Sequence, residues 1–144
     1  MRVVLQTVLK ASCVVCGNLV SKIENGYLLF VGFTETDNLD IVEKMALKIK
    51  NLRINEDENG KINNALKETD KILSISQFTL YADTRKGNRP SFTLALEPTK
   101  AKELYLAFNI ALKNLGLTVE VGIFQEDMKI SLVNSGPKTF ILEL

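Results

Sequence analysis

The sequence predicts an α+β fold, with mostly antiparallel strands in layered sheets and two main helices packed on one side. Three observations lead there. Many segments alternate apolar and polar residues with the two-residue period of a strand. Two stretches carry the i, i+3, i+4, i+7 apolar spacing of an amphipathic helix. Strands and helices do not alternate regularly, and most strand connections are short, which favours antiparallel pairing.

The elements follow in order. Residues 2–9 are expected as a first strand, and 11–23 as one or two more, bent near Gly17-Asn18. Asn25-Gly26 is a hairpin signal, and the apolar run Tyr27 to Phe33 suits a buried strand. Asp37 to Asn51 is helical, with Leu39, Val42, Met45, Ala46 and Ile49 on one face. The polar stretch Asn55 to Asn64 contains Asn59-Gly60 and is expected to be a loop or turn. Ile72 to Leu80 is the next strand, followed by a long loop over 82–98. Pro98 opens the second helix, Ala101 through Leu115 supply its buried stripe, and Gly116 stops it. Strands at 117–123, 128–133 and 138–143 complete the set. The length of 144 residues favours one domain over 1–144, with no repeat or linker.

Composition narrows the chemistry. A formal charge of +1 argues against coating long stretches of nucleic acid, but permits contact with a few phosphates at one end of one. No apolar run approaches the roughly 20 residues that span a bilayer, and the start MRVVLQTVLKASC reads as a strand. The cytoplasm is therefore the default address, with no membrane partner. The chain has no histidine, which excludes Ser-His-Asp and Cys-His schemes and every His-ligated metal. Cys13 and Cys16 form a C-x-x-C, read as two strand residues pointing to opposite faces rather than a redox pair or half a zinc site. No metal and no other cofactor is expected.

Three stretches could carry function. In SQFTLYAD, a regular strand would put Gln77 and Thr79 on one face and Ser76 and Phe78 on the other, near a strand end. They are either ordinary strand residues or the lining of a site. In DTRKGNRPSF, the cations Arg85, Lys86 and Arg89 either face solvent or grip one or two phosphates. Phe92 either joins the core or stacks on a base. In NSGPKT, Asn134 to Thr139, the Gly136-Pro137 pair lies between two strand-like runs. Gly is permissive and Pro restrictive, and an X-Pro bond admits cis. The pair is either a tight turn or a rigid backbone feature.

Together these stretches carry a resemblance. The chain resembles the D-aminoacyl-tRNA deacylase (D-tyrosyl-tRNA deacylase) family from end to end, through MRVVLQTVLKAS, INEDENGKIN, SQFTLYADTRKGNRPSF and EDMKISLVNSGPKTF. The signature S-Q-F-T-L is intact as Ser76 to Leu80. The signature N-x-G-P-x-T is intact at Asn134, Gly136, Pro137 and Thr139. The resemblance implies hydrolysis of the ester joining a D-amino acid to the terminal ribose of tRNA. It also implies a homodimer in which a cis Gly136-Pro137 pair reaches into the partner's active site as a chiral gate. Ser76, Gln77, Phe78 and Thr79 would line the pocket for the terminal adenosine and the ester. Near-neutral charge fits recognition of the acceptor end alone, with Arg85, Lys86, Arg89 and Lys138 as candidate phosphate contacts. A backbone wedge rejects L-residues by steric exclusion, so glycyl-tRNA, with no side chain to exclude, should also be cleaved.

With no imidazole available, Thr79 is expected to orient the ester and stabilise its oxyanion, with the RNA 2′-hydroxyl activating water; Thr79 as nucleophile is the other route. The chain departs from the family pattern at Thr7, where an Arg associated with holding the Gly-Pro loop is usual. It departs again at Lys138, where a small apolar residue is usual. A looser gate would reject L-esters less well. The competing function is a non-catalytic tRNA acceptor-end binding module on the same fold. A general small-ester hydrolase is disfavoured by the missing triad.

Overall fold

The computed structural model describes residues 1–144. Its elements in order are strands β1 (Arg2–Val15), β2 (Asn18–Ile23) and β3 (Gly26–Gly32), helix α1 (Leu39–Lys50), then β4 (Asn55–Glu56), β5 (Ile62–Asn64) and β6 (Lys71–Ser76). A 3-10 turn (Phe78–Tyr81), helix α2 (Pro98–Asn114), β7 (Thr118–Val121) and β8 (Met128–Glu143) complete the chain. The main sheet runs β2-β1-β3-β6-β7, with β8 on the other edge of β1, and β4-β5 forms a separate hairpin. Pairing is antiparallel except for β3-β6 and β6-β7, which are parallel because a helix-bearing crossover precedes β6 and β7.

Residues 2–9 and 11–15 prove to be one strand. Its N-terminal half pairs with β3 and its C-terminal half with β2, both on the same edge. The register is the same at Val8↔Gly26 and Ala11↔Ile23, so Asn25-Gly26 is no hairpin: the chain bends at Glu24-Asn25 without reversing. A Cβ on Gly26 would lie 2.1 Å from the Lys71 carbonyl oxygen. The glycine is there to let β6 approach. The true hairpin is Cys16-Gly17, whose φ values of 49° and 80° are those of a two-residue primed turn. Cys13 is buried and Cys16 exposed, both as free thiols.

The helices follow their signals except at Leu39, expected on the buried face of the first but exposed in its opening turn. Asn38 caps α1, its Oδ1 accepting from the Ile41 N–H at 3.1 Å, and Val42, Met45, Ala46 and Ile49 are buried. Glu97 caps α2 by accepting from the N–H groups of Thr99 and Lys100. Those bonds hold its carboxyl below the usual range. Both helices pack against Val3, Leu5, Leu29, Val31 and Ile72 in the larger core. Phe108 at its centre is fully buried, and truncating it to Ala would cost roughly 3–5 kcal/mol.

The opposite face of β3 and β6 is buried too, because the second half of β1 curls over it. Val8, Ala11, Cys13 and Val15 meet Leu28, Leu73 and Ile75 there in a second core. Where a loop was expected over 55–64, short strands β4 and β5 pair through a turn that Asp57 closes, its side chain accepting from the N–H groups of Asn59 and Lys61. No helix is long and apolar enough to cross a membrane.

The largest departure is at the C-terminus. The two strands expected at 128–133 and 138–143 are one strand, and NSGPKT lies inside it as a bulge. Lys10 pairs with Val133 and Gln6 with Thr139. Six residue steps of β8 therefore match four of β1, and the surplus is thrown outward.

Candidate active site

β6 ends at Ser76, opposite Val31, and Gln77 donates its N–H to the Val31 carbonyl at 2.7 Å. The chain then turns, closed by Leu80 N–H to the Gln77 carbonyl at 3.3 Å and Ala82 N–H to the Thr79 carbonyl at 3.0 Å. The strand expected to run to Leu80 is thus cut short, and the predicted sharing of strand faces does not hold. The reason is on the neighbouring strand. A Cβ on Gly32 would stand 2.8 Å from the Gln77 carbonyl oxygen and 3.2 Å from Leu80 Cβ. Glycine there makes room for a turn that a longer β6 would not need.

The turn nonetheless brings the expected pair together. Gln77 Nε2 donates to Thr79 Oγ1 at 2.5 Å. The Thr79 hydroxyl proton stays free to donate, and no carboxylate or amine is bonded to that hydroxyl to take it. Thr79 is exposed.

Ser76, Gln77 and Phe78 line a cavity of about 620 Å³, whereas Thr79, expected with them, stands on the turn outside its lining. Phe92 and Phe124 form further wall, with Met128 and Ile130 from the start of β8. Phe78 and Phe92 meet edge to face, centroids 5.1 Å apart at 65°, and remain 57% and 42% exposed. Phe92 therefore belongs to the cavity, not to the core. Glu126 and Asp127 make part of the rim acidic, which disfavours phosphates on that side.

Arg2 supports the turn, a role with no signal in the sequence. Its guanidinium donates to the Leu80 carbonyl and to Glu143, and sits 4.8 Å from the Tyr81 ring centroid. Burial, then the Asp37 charge, pushes Tyr81 up to about 12 despite Arg2, so the ring stays neutral.

The three loop cations separate. Arg85 gives Nε and Nη2 to the two oxygens of Asp83 at 2.8 and 2.7 Å. This holds the Asp83 carboxyl well below its usual range and raises Arg85. Asp83 and Ser91 in turn exchange backbone hydrogen bonds at 2.7 and 2.9 Å, pinching the loop. Lys86 and Arg89 are exposed and form no ion pair. No cluster of three His, Cys, Asp or Glu side chains is placed to hold a metal ion.

The bulge is elsewhere. The Gly136-Pro137 bond is cis, Gly136 has φ 114°, and both residues are exposed. Asn134 Nδ2 donates to the Thr7 carbonyl at 3.3 Å, and Gln6 Nε2 to Thr139 Oγ1 at 3.2 Å. Lys138 is committed to Glu56 at 2.9 Å. Pro137 lies seven residues beyond the cavity residue Ile130, roughly 20 Å along an extended strand. Within one chain, the bulge and the cavity are not brought together.

Residues 4–143 match the D-Tyr-tRNA(Tyr) deacylase family.

The chain belongs to this family.

The match to the D-Tyr-tRNA(Tyr) deacylase family extends to curated relatives. The chain is 52% identical to the D-aminoacyl-tRNA deacylase of Lactobacillus gasseri, over 100% of both chains. It is 51% identical to that of Exiguobacterium sibiricum, over 99% of each. Among solved structures it is similar to a c-Myc DNA unwinding element binding protein, with TM-score 0.93, 35% identity, and coverage of 100% of this chain and 99% of that one. A probable eukaryotic D-amino acid tRNA deacylase shares the fold at TM-score 0.85 and 15% identity, covering 99% of this chain and 98% of the other. The α+β fold and the family expected from the two signatures are thereby both shown.

Proposed function

We propose that this protein hydrolyses the ester of D-aminoacyl-tRNA at the Ser76–Thr79 turn and rejects L-esters at Gly136-Pro137. The observation that carries the reading is full-length kinship with D-aminoacyl-tRNA deacylases in a chain that keeps the Gln77–Thr79 bond on a turn beside an aromatic cavity.

The terminal adenosine stacks on the exposed surface of the Phe78–Phe92 pair, where base stacking contributes roughly 1–3 kcal/mol. Thr79 donates its free proton to the ester carbonyl, and the charge that develops on that oxygen in the transition state strengthens the bond. Gln77 orients the hydroxyl. The 2′-hydroxyl of the terminal ribose takes a proton from water as it adds to the carbonyl carbon. The bond from that carbon to the ribose oxygen then breaks as the 2′-hydroxyl passes a proton to that oxygen, and D-amino acid and tRNA leave with the 2′-hydroxyl restored. Lys86 and Arg89, with Arg85 tied to Asp83, hold acceptor-end phosphates.

The bulge acts on a second copy. It is exposed and none of its residues lines its own cavity, so it is useful only where a partner's cavity meets it. A homodimer with sites completed across subunits follows. A wedge at the substrate Cα turns an L side chain into main chain, leaves a D side chain in open space, and passes glycine. The substrate places the enzyme in the cytoplasm.

The test is single-turnover hydrolysis of paired D- and L-tyrosyl-tRNA, with glycyl-tRNA alongside. D-tyrosyl and glycyl esters are expected to be cleaved and the L-ester spared. Equal cleavage of both hands would sink the gate; binding without turnover of either would return the chain to an acceptor-end binding module.

A further inference from the structure

The four residues Ser135, Gly136, Pro137 and Lys138 have no partner across β1, which pairs with Asn134 and then Thr139. Thr7, facing the gap from β1, gives no side-chain support either: its Oγ1 is buried with no partner. Of these four residues, only Lys138 fastens the bulge by its side chain. Its stem folds back over Gly136, where an added Cβ would meet Lys138 Cγ at 2.8 Å. Its ammonium reaches Glu56 Oε1 at 2.9 Å, and the lysine side chain is only 23% exposed.

Glu56 is not on the main sheet. It sits on the β4-β5 hairpin, which has its own moorings. The neighbouring Asn55 accepts from the Tyr27 hydroxyl at 2.6 Å and donates to the Ala65 carbonyl at 3.1 Å. Arg53 donates to the Asn63 carbonyl at 2.6 Å. Tyr27 is core residue and the β3 partner of Thr7. The contacts thus close a ring: from Thr7 to Tyr27 across the sheet, to Asn55 and Glu56 on the hairpin, to Lys138, and back to the bulge.

We propose that the Lys138–Glu56 pair is the strut that stiffens Gly136-Pro137, making Glu56 a specificity-determining positioning residue. The proposal rests on the reading of the bulge as a chiral gate. An exposed ion pair adds little to global stability, so the strut is to be sought in local motion and selectivity rather than in melting. A gate that yields admits the L-ester while leaving the D-ester, which never presses on it, nearly unaffected.

The experiment compares wild type, Glu56→Gln, Lys138→Met, and the charge-exchanged pair Glu56→Lys with Lys138→Glu. Two readouts are taken on each: single-turnover rates on D- and L-tyrosyl-tRNA, and amide exchange at Gly136, Lys138 and Thr139. Each single variant is expected to raise the L-rate about two- to fivefold, change the D-rate less than twofold, and speed exchange at those amides; the exchanged pair should restore both. Unchanged exchange in the single variants overturns the strut, as does faster exchange with an unchanged D/L ratio, or a changed ratio that charge exchange does not rescue. Failure of the wild type to distinguish the two hands would show instead in its own D/L ratio, and would remove the gate together with the strut.

Discussion

Gln77 Nε2 points at Thr79 Oγ1 across 2.5 Å, at the start of the turn that ends β6. The direction of that bond sets the chemistry. The amide spends a donor on the hydroxyl oxygen, so the hydroxyl keeps its proton for substrate, and Gln77 is no base. Thr79→Ala should lower single-turnover cleavage of D-tyrosyl-tRNA about 10²-fold or more, Gln77→Ala should lower it less, and Thr79→Ser should recover much of it. A substrate with a 2′-deoxy terminal ribose should be cleaved far more slowly by wild type. Normal cleavage of that substrate combined with a dead Thr79→Ala would instead mark Thr79 as the nucleophile.

If the gate serves the partner's cavity, two crippled subunits should complement each other. Thr79→Ala removes the hydroxyl on the turn and spares the bulge. Gly136→Ala does the reverse, since φ 114° suits no L side chain and Lys138 fills the space. Mixing and reassembling the two variants should restore D-selective cleavage at one site of each mixed dimer. L-ester cleavage per intact cavity as fast in the mixed dimer as in Gly136→Ala alone would place the bulge's function within its own chain, or nowhere.

Acceptor-end binding should report the difference among the loop cations. Lys86→Ala and Arg89→Ala should each flatten the dependence of log affinity on log salt by about 0.7–0.9, read with an acceptor-stem RNA. Arg85→Ala should do less, because Asp83 already holds its guanidinium. Equal slopes in all variants would leave the three cations to solvent.

Gly26 offers a stability test away from the site. A methyl 2.1 Å from the Lys71 carbonyl must push β3 and β6 apart. Gly26→Ala should cost about 3 kcal/mol, a fall in Tm of roughly 10 °C for a chain of this size. Gly17→Ala, at φ 80° with nothing within 4 Å, should cost only about 1 kcal/mol. Equal losses at the two positions would contradict the close approach.

Stability should be flat from about pH 5.5 to 7.5 and fall toward the acid and alkaline extremes. Asp57, Asp83 and Glu97 are held below their ordinary values of 3.8, 3.8 and 4.5. Depressed carboxyls stabilise the fold above the unfolded pKa, and that contribution is lost as pH drops through the folded one. Tyr27 and Tyr81 are raised from 10 to about 12, burial being the first cause of each. Their contribution is complete below pH 10 and is lost as pH rises toward 12. With no histidine to titrate between, thermal melts across pH 5.5–7.5 should coincide; a step there would point to a group unaccounted for.

Much of this was readable along the chain. The stripe Val42, Met45, Ala46, Ile49, the Pro98 start and Gly116 stop of α2, and the placement of SQFT beside a long loop all come from periodicity and local backbone chemistry. Arg2 was not readable, because its partners Leu80 and Glu143 are 78 and 141 residues away. Lys138–Glu56 was hidden for the same reason.

Local pattern by itself determined the two helices and the longer strands, the buried stripes of the helices, and the two signatures that mark the family. It could not say whether two strand-like runs are two strands or one. NG at Asn25-Gly26 reads as a turn and proves a bend without reversal, while GP at Gly136-Pro137 reads as a turn and proves a bulge. Both outcomes were decided by β1, which pairs with β2 and β3 on one edge and with β8 on the other, resuming past each interruption. A turn signal states what the backbone tolerates; only a neighbouring strand, supplying hydrogen-bond partners on both sides of the signal, decides whether the chain reverses there.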